Sequence, residues 1–435
     1  MYPNLYYAFE DLFGIRIKGL QLVNSFGFFV AIAFLIGAWV LTRELRRKEQ
    51  EGVFSYTTRT IISNQQVSWF DVILNFLLGF FLGYKIIGAF LIDQALDDPQ
   101  AFIFSSRGHL VAGLLAGLFF GGLKWNDKRK SEAGKPEKRT IRVWPHDRVG
   151  DIVIYAAIFG FLGAKIFHNL ENLDEFSRDP IGSLISFSGL TIYGGLLLAT
   201  AAIIYYARKH NIGVLPLADA FAPTMMIAYA IGRIGCQVSG DGDWGIVNSA
   251  YITQADGTIA HSGPGEFDTA LQSNAMFYMK DLHVQSVADV HYASVTAPGW
   301  LPDWLLAYNY PNNVISSGVP LPDCAGKYCN VLPIPVFPTP LYEFLACTLL
   351  FFILWALRKK LKVAGRLAAI YLVMNGVERF LIEKIRINNT YNMFGFHPTQ
   401  AEIISSLLVV AGVVLYVYAP RLQGTAKPDQ SEKLS

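Results

Sequence analysis

Apolar residues run along this chain in blocks of about twenty, the length a helix needs to cross a hydrocarbon core about 30 Å thick. Polar segments separate the blocks, most of them short and one, between the sixth and seventh, long. The pattern predicts nine membrane spans, at about 20–42, 70–92, 108–123, 150–168, 185–207, 217–236, 338–357, 367–385 and 399–419. Lys and Arg then orient them, because cytoplasmic loops collect positive charge. Arg43, Arg46, Arg47 and Lys48 follow the first block. Lys124, Lys128, Arg129, Lys130, Lys135, Lys138 and Arg139 follow the third, Arg208 and Lys209 the fifth, and Arg358, Lys359, Lys360 and Lys362 the seventh. Asp93, Asp97 and Asp98, and then Glu171, Asp174 and Glu175, mark the alternate loops. The alternation puts the N-terminus outside, the C-terminus in the cytoplasm, and the long loop 237–337 outside.

Composition agrees with the pattern. Of 435 residues, 52% are hydrophobic and 16% charged, against about 25% charged in a soluble domain. Mean hydropathy is +0.34. The net charge of +2 carries no signal for nucleic acid, since the basic residues lie in short clusters between apolar blocks. The acidic, aromatic N-terminus predicts no cleavable leader. The expected fold class is an all-α polytopic membrane protein of about nine transmembrane helices, with an extracytoplasmic cap of mixed structure in the long loop. Its expected parts are 1–148, with the first span and an extra two-span unit; 149–236, core spans; 237–337, the cap; 338–419, three further core spans; and 420–435, a cytoplasmic tail. Cys324 and Cys329 in the cap lie in an oxidising compartment on this topology and are candidates for a disulfide. Phe81-Leu82-Gly83-Tyr84-Lys85-Ile86 recurs as Phe161-Leu162-Gly163-Ala164-Lys165-Ile166, with Asp71 and Asp151 upstream and Ser106/Gly113 echoed by Ser188/Gly195. Spans two and three thus read as a diverged copy of spans four and five.

Charged residues near membrane depth are costly and are functional candidates by default. Arg233 ends span six and opens a loop with Gly240, Asp241, Gly242, Asp243 and Gly245. Glu343 starts span seven. Glu378, Arg379 and Glu383 lie in span eight, with Arg386 just beyond; Glu378 and Arg379 sit nearer its middle than the rest. Lys85 and Lys165 complete the set. Arginine suits phosphate because its planar fork donates two parallel hydrogen bonds and keeps its charge. Arg233 and Arg379 are either a phosphate clamp or structural partners of Asp241, Glu343 and Glu383. Tyr193-Gly194-Gly195 places a tyrosine beside glycines that let a helix or a lipid approach the backbone. That tyrosine is either a site residue or part of an interfacial belt. His109, His168 and His397 lack metal-ligand spacing, so neither a metal nor another cofactor is expected.

Gly232-Arg233-Ile234-Gly235-Cys236, followed by Ser239-Gly240-Asp241 and Gly245, resembles the signature of the prolipoprotein diacylglyceryl transferases. Asp151 to Gly163 with Lys165, Tyr193-Gly194-Gly195-Leu196, Pro338-Thr339-Pro340-Leu341-Tyr342-Glu343, Gly376 to Glu383 with Arg386, and Pro398-Thr399-Gln400 are similar to further family segments, in order. The resemblance covers span one, 149–250 and 336–419. It implies transfer of the diacylglyceryl group of phosphatidylglycerol to the lipobox cysteine of a prolipoprotein, with loss of glycerol 1-phosphate, in a bacterial inner membrane. It carries the essential arginines onto Arg233 and Arg379, and implies Asp241, Tyr193, Gly194, Gly195, Glu343, Glu383 and Arg386 as site residues. The partners implied are phosphatidylglycerol, signal peptides bearing a lipobox cysteine, and the bilayer. The chain departs from the family pattern at Tyr193 and Phe337, where histidine is common, at Cys236 for asparagine, at Phe26 and Asn375 for tyrosine, and by one inserted residue before Gly245. A transporter or flippase for anionic lipid suits the repeats and the intramembrane charges; an inactive scaffold suits the missing histidine. Release of glycerol phosphate separates the enzyme from the transporter.

Overall fold

A computed structural model describes all residues except 64–66, 93–101, 104, 133–136, 186–190, 282–283, 323, 325, 389–390, 392–395 and 425–435. Ser188 of the repeat, Asp93, Asp97 and Asp98 of the acidic loop, and Lys135 of a basic cluster fall outside that set. Among the described residues the long helices are α1 Ser25–Gln50, α2 Trp69–Leu82, α3 Leu110–Glu132, α4 Val149–Glu171, α5 Ile192–Lys209, α6 Val214–Ser239, α7 Thr339–Leu357, α8 Arg366–Glu383 and α9 Gln400–Gly424. Each of the nine expected blocks overlaps one of these helices among the described residues. Six of these helices are long and apolar enough to cross a membrane by length and composition: α1, α2 with its continuation to Leu91, α4 with the turn before it, α6, α7 and α9. The other three fall short for a legible reason. In α3 the apolar run ends at Leu123, α5 closes on Tyr205-Tyr206-Ala207-Arg208-Lys209, and α8 carries Glu378, Arg379 and Glu383 in its second half.

The chain divides into two compact units. One comprises Tyr2–Phe28 and Thr58–Arg142. Here α2 packs on α3, and a Cβ on Gly83 would strike the Ala112 carbonyl. Lys85 is 5% exposed. Its ammonium donates to the carbonyls of Phe102 (3.0 Å), Ser105 (2.5 Å) and Arg107 (2.6 Å), so three carbonyls shortly before α3 satisfy the three donors of a buried cation. The His109 amide donates to the Tyr84 carbonyl at 3.0 Å.

The other unit comprises Met1, Phe29–Thr57 and Val143–Ser435. Its pair α4–α5 has the same internal geometry. A Cβ on Gly163 would strike the Gly194 carbonyl, Lys165 is buried, and the Thr191 amide donates to the Ala164 carbonyl at 3.1 Å. Equivalent sequence positions thus make equivalent contacts in the two hairpins. Gly194 and Gly195 are packed against α4, at Phe167 and Gly160, so it is a helix that takes the close approach these glycines permit.

Two buried apolar clusters hold the helices of this unit. Leu41 and Leu45 of α1 meet Val149, Ile152, Tyr206 and Leu217 in one. Val40, Met226, Ala230, Cys347, Leu354 and Leu367 join α1, α6, α7 and α8 in the other. Between α6 and α7 the chain forms a layer of short elements. Tyr251–Thr253 pairs antiparallel with Ile259–His261, Val319–Pro320 antiparallel with Asn330–Val331, and Val247–Asn248 parallel with Tyr292–Ala293. This layer has its own core of Trp244, Val247, Phe267, Tyr278, Tyr310, Leu332 and Ile334. Cys324 and Cys329 form a disulfide.

Candidate functional site

The site is built where α6 ends, α7 begins and α8 ends. Arg233 lies in the last two turns of α6, and Gly240, with φ of 64°, stops that helix in the left-handed region that favours glycine. The chain then returns through Asp243 to Gly245. Gly245 forms an antiparallel bridge with Arg386, and its amide donates to the Phe337 carbonyl at 2.9 Å. A Cβ at this position would lie 2.6 Å from the Ile385 carbonyl oxygen and 2.9 Å from that of Phe337, so the three strands of backbone meet only through glycine. Helix α7 starts with proline in its first turn, where a missing N–H costs nothing. The Thr339 hydroxyl donates to the Asp243 carbonyl at 3.2 Å, fastening the loop to the helix start.

Glu343, one turn into α7, is the hub. It is 0% exposed. Its Oε2 faces Arg233 Nε at 3.3 Å and Arg386 Nη1 at 3.4 Å. Its Oε1 accepts from the Tyr229 hydroxyl at 2.7 Å and from Arg379 Nη1 at 3.4 Å. Asp243 pairs with both Arg233 and Arg386. Glu383 Oε2 lies 2.8 Å from Arg379 Nη2, one turn away on α8, and Glu383 Oε1 accepts from Asn388 at 2.6 Å. The Tyr229 ring, one turn before Arg233, stacks beneath its guanidinium at 5.0 Å. Three arginines are therefore paired with three carboxylates before any ligand arrives, and Glu378, buried next to Arg379 on α8, lies within electrostatic range of Glu343, Arg379 and Arg233.

The pairing is not saturation. A guanidinium has five N–H donors, and each arginine here uses two of its three nitrogens on carboxylates. The Arg233 and Arg379 side chains keep 11% and 17% of their surface, while Glu343 keeps none. A tetrahedral anion has donors to meet at the arginines and no buried carboxylate to displace first. The cluster can thus hold an anion and stabilise negative charge that builds on it.

Of the residues singled out from sequence, the structure brings Arg233, Arg379, Arg386, Glu343 and Glu383 together. Asp241 is placed otherwise. The carboxylate that reaches the arginines is Asp243; Asp241 lies beside the Cys236 thiol, with Arg233 in electrostatic range. Burial pushes the Asp241 carboxyl up from its ordinary range, against the opposing pull of Cys236 and Arg233. Tyr193 sits in the first turn of α5, and its hydroxyl has no hydrogen-bond partner among the described residues. Sequence reasoning missed Asp243, Tyr229 and Thr339 as members of the cluster. Tyr229 had a signal, since a tyrosine four residues before a helical arginine shares its face. Among the described residues no group of three His, Cys, Asp or Glu side chains is arranged to hold a metal ion.

A family model described as prolipoprotein diacylglyceryl transferase matches residues 109–418, from the start of α3 into the last turns of α9. The phosphatidylglycerol–prolipoprotein diacylglyceryl transferase of Shouchella clausii is 27% identical over 275 residues, 63% of this chain and 76% of that protein. That of Staphylococcus haemolyticus is 25% identical over 273 residues, 62% of this chain and 73% of its own. That of Staphylococcus aureus strain MRSA252 is 25% identical over 274 residues, 62% and 74%. The matched region contains the whole arginine–carboxylate cluster, and the chain belongs to the prolipoprotein diacylglyceryl transferase family, a family of membrane transferases.

Proposed function

We propose that this protein moves the sn-1,2-diacylglyceryl group of phosphatidylglycerol onto the lipobox cysteine thiol of a prolipoprotein. A C–S bond forms at the glyceryl carbon, the C–O bond to phosphate breaks, and glycerol 1-phosphate leaves. The sulfur attacks as the thiolate, its proton passing to solvent, and the negative charge of the thiolate ends on the departing phosphate monoester, which leaves as the dianion. Arg233 and Arg379 hold that phosphate and stabilise the added charge. Glu343 and Asp243 fix the arginine forks, Glu383 and Arg386 brace them, and Asp241 with Cys236 orders the glycine loop. Tyr193 lines the acyl side of the site, and Gly194 and Gly195 bring its helix close. The cluster faces the outer side of a bacterial inner membrane, where a secreted lipobox arrives.

The observation that carries this reading is the convergence of three guanidinium groups on one fully buried carboxylate, with two of the three still partly open. Incubating the purified protein with phosphatidylglycerol and a lipobox peptide, and measuring free glycerol phosphate, tests it. Release that depends on both the peptide and Arg233 is expected. Lipid movement between leaflets without head-group release would instead favour a transporter.

A further inference from the structure

Segment 295–306, in the layer between α6 and α7, exposes two tryptophans on a loop with a rigid neck. The Asn248 side chain clamps that neck. Its amide nitrogen donates to the carbonyls of Val295 (2.8 Å) and Leu306 (3.0 Å), and its oxygen accepts from the Val295 amide at 3.1 Å. The Tyr251 hydroxyl spans the interior of the loop. It donates to Asp303 Oδ1 and accepts from the Ala297 amide, both at 2.8 Å. Two tight turns shape the rest, Leu301 bonding back to Pro298 and Leu305 to Pro302. Beyond this frame Trp300 is 82% exposed and Trp304 49%.

A floppy loop exposes tryptophan by default, whereas this one is held by a buried asparagine and a buried tyrosine in a conformation that presents it. In water, that leaves a large apolar area unburied. At a bilayer surface the same area finds the environment indole prefers, apolar below and wet above.

The position of the loop selects the bilayer. The Tyr342 hydroxyl donates to the Leu305 carbonyl. Tyr342 lies in the first turn of α7, so the loop is tied to the level at which that helix begins. Further along α7, Leu345, Leu349 and Phe352 are exposed, as expected of a lipid-facing stripe. Tyr342, three, seven and ten residues before them, shares that face of the helix, so the loop is tied to the start of α7 on the side of the stripe. Tyr342 is the chain neighbour of Glu343, so the loop is tied to α7 at the residue next to the hub of the arginine cluster.

We propose that residues 298–304 dip into the outer leaflet beside the site, with Trp300 and Trp304 seated at the head-group level, and form a lip over which phosphatidylglycerol passes. The proposal rests on the orientation given under Proposed function. Its partner is the lipid surface itself.

Fluorescence in nanodiscs tests it. The emission of wild-type protein minus that of the Trp300→Ser/Trp304→Ser variant isolates these two indoles. In discs of phosphatidylglycerol brominated near the head-group end of its acyl chains, this difference emission should fall at least twofold, and aqueous iodide should leave most of it unquenched. Strong quenching by iodide with none by the brominated lipid would overturn the proposal. The readout needs no turnover, so a protein that dips but does not transfer overturns only the transferase reading, and an active protein without lipid quenching overturns only this one.

Discussion

Glu343 is the residue on which the site depends, because three cations face one carboxylate that has no water to fall back on. Removing one partner of a buried ion pair is far more damaging than the net worth of the pair, about 3–5 kcal/mol. Glu343→Gln should therefore cost stability of that order and lower the melting temperature of the detergent-solubilised protein. An unchanged melting curve would mean that the arginines are held by other groups. The two aspartates of the glycine loop should behave differently from each other. Asp243→Asn removes a partner of Arg233 and Arg386 and should lower transfer by at least tenfold, while Asp241→Asn should retain most of it. The Asp241 effect has a definite sign with pH. Burial raises its pKa above the unfolded value of about 3.9, so its proton is favourable to folding at low pH and that contribution disappears as pH rises through the folded value. Asp241→Asn, compared with wild type across pH 3–8 in thermal melts, should gain in relative stability as pH rises. A constant difference would contradict the burial argument. Sequence alone pointed to Asp241 because the signature carries one acid and this chain has two, separated by a glycine. Which of them reaches the arginines is decided by the left-handed turn at Gly240 and the contact at Gly245, and neither can be read from residue order.

At the level of elements, the helices were legible because hydrocarbon thickness imposes a length that apolar blocks display directly. Their pairing was legible only where the chain repeats itself. Gly83 and Gly163 sit at the same place in two hairpins, each facing a carbonyl of the partner helix, and the lysines two residues later are buried in both. Close helix packing predicts a sharp contrast within one turn. Gly163→Ala should push α4 off α5 and reduce folded yield. Gly160→Ala, whose Cβ would have its nearest neighbour at 4.0 Å, should be tolerated. Size-exclusion profiles of the two variants in detergent check this, and equal profiles would mean that α4 and α5 are loosely packed. The hub itself was not legible. Arg233, Glu343, Arg379 and Arg386 are individually conspicuous as charges in apolar surroundings, but their convergence depends on how α6, α7 and α8 pack, which Met226, Cys347 and Leu367 settle through ordinary core contacts.

For the whole molecule, orientation is the claim that ties site to substrate. On the proposed function the lipobox cysteine emerges on the outer side, and the account therefore places the arginine cluster and the layer between α6 and α7 there. Cys324 and Cys329 report on that side directly, since Cys236 and Cys347 are buried. After mild reduction of intact cells, a membrane-impermeant maleimide should label this pair without permeabilisation. Labelling only after lysis would invert the topology and remove the proposed encounter with a secreted substrate. Charge alternation is the sequence signal for this orientation, because Lys and Arg clusters are laid down loop by loop, and the labelling result decides it. The shape of the long loop was not legible, since its strands are two or three residues long and too short to show a period.

The central claim is that Arg233 and its partners promote formation of a thioether between a lipid glyceryl carbon and a cysteine thiol. Mass spectrometry of a lipobox peptide incubated with phosphatidylglycerol and purified protein tests it most directly, with Arg233→Ala measured alongside. The account predicts a peptide heavier by one diacylglyceryl group, attached through sulfur, with wild type and at least a hundredfold less with the variant. An unmodified peptide with correctly folded wild type, or equal modification by Arg233→Ala, would contradict it.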